Sequence, residues 1–248
     1  TIPFIARYRN ALPGAMGGLA LRALAERLQY LRNLEERRQE VKSLIAGQGK
    51  LTEELSAAID GAATLAEVED LYRPYRPKRR TRATIARERG LEPLAELLFS
   101  KSGSRIVPEE AAEDYVNPEK GVETIQDALQ GANDILAEQI SDDATVRKKL
   151  RQQYLKRAML VSRAAKEEPE DSVYRLYYDF KCPVGKMQGY QTLAINRGER
   201  EGFLKVSVEL DIETAHVTVR KVAVPGRACM DFVRAAADDA YDRLIQAS

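Results

Sequence analysis

A chain of 248 residues, 44% hydrophobic and 31% charged, is long enough for one large domain or two modest ones and can build a real core. Its 39 Lys/Arg against 38 Asp/Glu give net +1, which excludes a uniformly basic nucleic-acid binder and leaves that role to a local patch. No apolar run approaches the ~20 residues of a membrane span, no secretory signal opens the chain, and two cysteines without a CxxC pair exclude a disulfide framework. The balance is that of a cytoplasmic, reduced protein, and the opening Thr1-Ile-Pro-Phe without Met reads as that of a fragment.

The first predicted element runs from about Gly18 to Ala46. Leu21, Leu24, Leu28, Leu31, Leu34, Val41 and Ile45 recur at helical spacing and mark one apolar stripe, with Gly47 and Gly49 as its stop. Thr52 caps a short helix through Ile59, and Thr64 with Glu67 forms a capping box for another to about Leu71.

Then comes the densest charge in the chain. Between Arg73 and Arg89 stand eight cations (Arg73, Arg76, Lys78, Arg79, Arg80, Arg82, Arg87 and Arg89) against the single acid Glu88. The local balance of +7 leaves −6 for everything else. Like charges at this density call for a negative partner, and phosphate backbones are a common one. Pro74 and Pro77 predict an extended start to this strip, and Tyr72 and Tyr75 add rings suited to stacking on bases. The eight cations are therefore the candidate nucleic-acid contacts. A solvated, acid-paired surface strip is the other reading of the same residues.

After the strip, Pro93 opens a helix carrying Leu94, Leu97 and Leu98; Pro108 opens another, and Pro118 a third behind Asn117 as cap. Two long helices fill Val122 to Ala165 with a break at Ser141-Asp142-Asp143; the second has Val146, Leu150, Tyr154 and Val161 on one side and Lys148, Lys149, Arg151, Lys156 and Arg157 around the rest. A charged, Pro-containing linker at 166–172 divides a helical body (1–165) from a smaller α+β segment (173–248). In that segment Gln191 to Arg200 is helical, and Gly202 stops it. Leu204, Val206, Val208 and Leu210 alternate as a strand, and Val217, Val219, Val222 and Val224 as a second, antiparallel one. A helix from about Arg227 to Gln246 closes the chain. The fold class is mainly α with a small two-stranded element.

Catalytic chemistry finds no foothold. His216 is the only histidine, so no His-based triad or two-His metal site forms within the chain; a packed or edge residue is expected. Cys182 and Cys229 lack an activating neighbour and read as core thiols. Gly185-Lys186 has neither the glycine nor the Ser/Thr of a phosphate loop. Asp142-Asp143 and Asp238-Asp239 read as solvated acids rather than metal ligands. The cluster Tyr174, Tyr177, Tyr178 and Phe180 reads as packing rather than a base-stacking platform. No enzyme activity, cofactor or metal is expected.

Four ordered segments resemble the Tex family of bacterial transcription accessory proteins: Ile2-Pro-Phe-Ile-Ala-Arg-Tyr-Arg9; Leu31-Arg-Asn-Leu-Glu-Glu-Arg-Arg38 with Gly49-Lys-Leu-Thr52; Asp70 to Ala83 with Gly90-Leu-Glu-Pro-Leu-Ala95; and Leu193-Ala-Ile-Asn-Arg-Gly-Glu-Arg-Glu-Gly202. After Arg9 the family pattern has Lys-Glu and a direct Thr-Gly-Gly, whereas Asn10 to Met16 intervene here. The resemblance implies a helical N-terminal part of a larger cytoplasmic protein whose RNase H-like, helix-hairpin-helix and OB-fold RNA-binding modules lie outside this chain. Taken with the strip and the absence of catalytic residues, the expected role is a non-enzymatic, monomeric, nucleic-acid-binding scaffold (RNA or DNA, without sequence specificity) of the transcription or RNA-metabolism machinery. The alternative is a protein-interaction scaffold whose basic strip docks other domains or an acidic partner.

Overall fold

The computed structural model describes residues 18–101, 106–166 and 172–246. The opening motif at 2–9, the insertion at 10–16 and most of the expected linker at 166–172 lie outside the described residues. Two compact units divide the chain, Thr1–Arg76 and Pro77–Ser248.

In the first unit, α1 (Gly18–Gly47), α2 (Glu53–Gly61) and α3 (Leu65–Tyr72) precede a 3₁₀ turn at Arg73–Tyr75. The expected caps form: Thr52 Oγ1 accepts from Leu55 N–H and Thr64 Oγ1 from Glu67 N–H, each at 3.2 Å. Glu67 returns one residue early, accepting Ala63 N–H at 2.8 Å. Leu34, Val41 and Ile45 of α1 meet Ile59, Val68 and Tyr72 in a closed core, where each fully buried aliphatic side chain contributes roughly 1.5–3 kcal/mol. Leu24, Leu28 and Leu31 of the same stripe are exposed.

The second unit is built around α7 (Ile125–Asp142), whose reciprocal Thr124–Asp127 capping box fixes its start. Against it pack α4 (Arg82–Glu88), α5 (Glu92–Phe99), α6 (Pro108–Glu113), α8 (Ala144–Arg157) and α11 (Met230–Asp239), the last continuing as a π turn at Ala240–Ile245. Gly131 admits this packing, because a Cβ there would collide with Leu91 Cδ1.

Three antiparallel strands, in the order β2-β1-β3, complete the unit: β1 (Met159–Ala164), β2 (Asp179–Pro183) and β3 (Leu204–Glu209). β1 pairs Leu160 with Cys182 on one side and Val208 on the other. Thus strands on both flanks of 166–172 share one sheet. α9 (Gly189–Arg200) packs on it through Ile195, with Tyr174 and Leu204 closing a small core. Gly198 lies under Leu204, whose Cδ1 would stand 2.7 Å from a Cβ there. Gly202, at φ +80°, makes the turn into β3.

Mainly helical with a small sheet is the observed class, and the capped helices stand where expected. Three local expectations are corrected. Val217 to Val224 is not a strand: α10 (Ile212–Ala223) runs through it, started by Asp211 accepting Thr214 N–H at 2.8 Å, with Ala215 and Val219 buried on one face. The sheet has three strands rather than two: beside β3 it holds β2 and β1, the latter in a stretch expected to be helical to Ala165, so that Val161 is a strand residue. The basic strip does not begin extended, because Pro74 instead sits in the first turn of the Arg73–Tyr75 helix, where its fixed φ and missing N–H are tolerated.

Candidate nucleic-acid interface

The eight cations of the strip do not form one set. Arg73 and Arg76 belong to the first unit. Arg76 donates to Glu69 and lies over the Tyr72 ring at 5.7 Å, while Arg37 donates to the same carboxylate at 2.6 Å. The Arg37 hydrogen bond, against burial, holds the Glu69 carboxyl below its ordinary value. Arg73 is half-buried and engaged. Tyr72 is 6% exposed and belongs to the core, so its ring is unavailable to a base.

The other six lie in the second unit. Lys78 donates to Asp142 and stands 3.5 Å from Glu138. Arg87 donates to Glu138 at 2.8 Å and reaches Glu92 at 3.3 Å. Thr81, the N-cap of α4, accepts Thr84 N–H at 3.1 Å and donates its hydroxyl to Glu138 at 2.9 Å. Glu138 and Asp142 have side chains only 10% exposed. Burial disfavours the Glu138 carboxylate; the Arg87 hydrogen bond, the Lys78 charge and the Thr81 hydroxyl outweigh it and keep the group ionised below its ordinary value. Lys78 and Arg87 thus pin the strip to α7.

The remaining four point outward. Arg80 pairs with Glu88 at 2.7 Å with both side chains more than half exposed. Arg79, Arg82 and Arg89 are exposed and form no ion pair among the described residues. Arg89 rests beside Gly121, which turns the chain at φ +75°. Over 79–89 the protein therefore displays a cationic surface whose backbone is held by a capped helix and two anchoring ion pairs.

The partners Glu138 and Asp142 went unrecognised in the sequence, although a signal was there. Asp134, Glu138 and Asp142 recur every four residues on a helix whose other buried residues are mostly Ala, Ile and Leu. That spacing places three acids on one buried edge, and Asp134 accepts from Arg243 at 2.7 Å. The acid doublets are correspondingly not merely solvated: Asp143 caps α8, Asp238 takes Arg220 at 2.7 Å, and Asp239 takes Arg243 at 2.6 Å.

Other polar and aromatic residues sit in packing contacts. His216 lies on α10, 2.8 Å from Asp242 and edge-on to Tyr241. Burial pushes the Cys229 thiol up. Tyr177 and Phe180 pack edge to face with Tyr174 nearby in the sheet core. Among the described residues, no three His, Cys, Asp or Glu groups are arranged to hold a metal, and no helix is long and apolar enough to cross a membrane.

Comparison with known proteins adds two family models. One for the Tex central region matches residues 104–243, and one for the Tex-like N-terminal domain matches residues 1–46. The chain is 46% identical to protein YhgF of Escherichia coli over 85% of its own length and 27% of that protein. It is 40% identical to the uncharacterized protein YdcI of Bacillus subtilis over 99% of its length and 35% of that protein. With the transcriptional accessory protein Tex of Neisseria gonorrhoeae it shares 40% identity over 88% of its length and 28% of that protein. It therefore spans about a quarter to a third of the relatives it matches.

Proposed function

This chain belongs to the Tex family, and we propose that it serves there as a non-enzymatic, cytoplasmic scaffold of the transcription or RNA-metabolism machinery that contacts nucleic-acid phosphates through Arg79, Arg82 and Arg89. The observation that carries this reading is the contrast inside the strip. Lys78 and Arg87 are neutralised by buried acids, whereas three neighbouring arginines stand exposed and form no ion pair among the described residues, on a backbone those anchors hold still. Preorganised guanidinium groups suit phosphate oxygens, since their forked donors lose little freedom on binding. The name of the Neisseria gonorrhoeae relative points the same way. Backbone contacts of this kind carry no base sequence, so binding is expected to be non-specific.

Titration of the 248-residue chain with single-stranded RNA, single-stranded DNA and duplex at two salt concentrations tests the reading. If these three arginines reach phosphates, replacing them with serine flattens the salt slope by about 2 on single strands and nearly 3 on duplex. A triple variant that binds with the wild-type slope refutes the assignment.

A further inference from the structure

The strip is not the only concentration of positive charge in the second unit. α8 carries Arg147, Lys148, Lys149, Arg151, Lys156 and Arg157 and no acid over its 14 residues. Other α-helices of one sign among the described residues are acidic, as in α2 with Glu53, Glu54 and Asp60, whereas α1 mixes signs and pairs Arg37 with Glu40 and Arg38 with Glu35. The helix macrodipole accounts for Lys156 and Arg157 in the last turn, but it offers nothing to Lys148 and Lys149 in the first half. Like charges along one helix weaken it slightly.

The packing of α8 decides which of these cations face outward. Val146 and Leu150 are buried, and Tyr154 reaches the Tyr241 hydroxyl at 2.9 Å, which commits one side of the helix to the core. Arg147 is drawn to the Ser141 carbonyl at 2.7 Å, and Lys148 and Arg151 are engaged. Lys149, Lys156 and Arg157 are exposed and form no ion pair among the described residues.

The position of α8 ties it to the strip. Lys78 bonds Asp142, the last residue of α7; the next residue, Asp143, caps α8 by accepting Thr145 and Val146 N–H at 2.8 and 2.9 Å. Arg79 is therefore one residue from the junction at which α8 begins. From there the helix runs about 21 Å, the rise of roughly six nucleotides in one strand of a duplex.

We propose that α8 is a second phosphate-contacting face, continuous with the strip, along which a nucleic-acid backbone held at Arg79 and Arg82 continues over Lys149, Lys156 and Arg157. This rests on the nucleic-acid reading of the chain and adds a site to it. The ligand is the sugar–phosphate backbone itself, because the exposed face of the helix offers charge without an aromatic ring to stack a base.

The test compares four forms of the 248-residue chain against a single-stranded 20-mer over a salt series: wild type, the strip variant Arg79→Ser/Arg82→Ser/Arg89→Ser, the helix variant Lys149→Gln/Lys156→Gln/Arg157→Gln, and the charge-conserving Lys149→Arg/Lys156→Arg. Glutamine keeps the helix, which circular dichroism verifies. The expected result is a salt slope lowered by about 2 in the helix variant, with Lys149→Arg/Lys156→Arg retaining the wild-type slope. A helix variant that binds like wild type while the strip variant weakens overturns the α8 site and leaves the strip reading standing. Loss in the helix variant alone supports α8 and removes the strip. A wild-type chain that binds poly-glutamate but no nucleic acid overturns both.

Discussion

Two sets of cations interleave within residues 78–89. Lys78 and Arg87 end on Glu138 and Asp142, carboxylates that α7 has already withdrawn from water; Arg79, Arg82 and Arg89 end in solvent. The first set exists because a buried carboxylate without a partner is far more costly than one that is paired. The second has no such reason within the chain, since exposed cations add little stability. Density of charge in a sequence therefore does not identify a binding surface, because part of it answers to acids elsewhere in the fold.

The sharpest way to break this comparison is to remove the anchors. Lys78→Ser with Arg87→Ser takes both cations from the buried Glu138 and one from Asp142, and we expect a loss of about 3–5 kcal/mol. That is on the order of 10 °C in melting temperature for a unit of this size. Calorimetry showing less than a 2 °C change would place the anchors among the decorative charges.

Glu138→Gln probes the same site from the other side and should cost about 1–3 kcal/mol at neutral pH. Its effect has a defined pH dependence. The folded-state value of Glu138 is depressed from 4.5, so its ionic contribution is fully present above that value and is lost as pH falls through the folded-state value. Melting curves of wild type and variant should therefore converge in acid. A gap that stays constant from pH 7 to pH 3 would contradict the ionised, triply held carboxylate.

For the outward set, Arg79→Ser/Arg82→Ser/Arg89→Ser should shift stability by no more than about 1 kcal/mol in total, in contrast to the anchor pair. Urea unfolding gives this directly, and a loss as large as that of the anchors would erase the distinction. The smallest effect belongs to Arg80→Ala, which breaks only the exposed Glu88 pair; below about 0.5 kcal/mol is expected. A double-mutant cycle with Glu88→Ala measures that coupling.

Much of the fold was legible from local signals. Thr52, Thr64 and Asn117 cap the helical turns their positions announced, because a cap bonds to N–H groups two or three residues away. The Leu204–Val208 alternation is likewise strand, and the strip itself stands out on composition alone. Non-local partners were not legible. β1 is six residues directly after a long helix, with Val161 continuing the helical spacing of Val146, Leu150 and Tyr154, and its strand state is decided by pairing with Cys182 and Val208. The valines from 217 to 224 alternate like a strand, yet Asp211 caps them into α10 and Ala215 and Val219 fill the core around α11 and α7.

The sequence by itself determined where the Thr-capped helices start, that the chain is mainly helical, and where its positive charge is densest, since all of these depend on residues within one or two turns of each other. Only the tertiary structure decided which cations of the strip are anchored and which remain exposed. That choice depends on Glu138 and Asp142, some fifty to sixty residues away, being brought beneath the strip by the packing of α4 on α7. Burial there makes an ion pair obligatory rather than incidental.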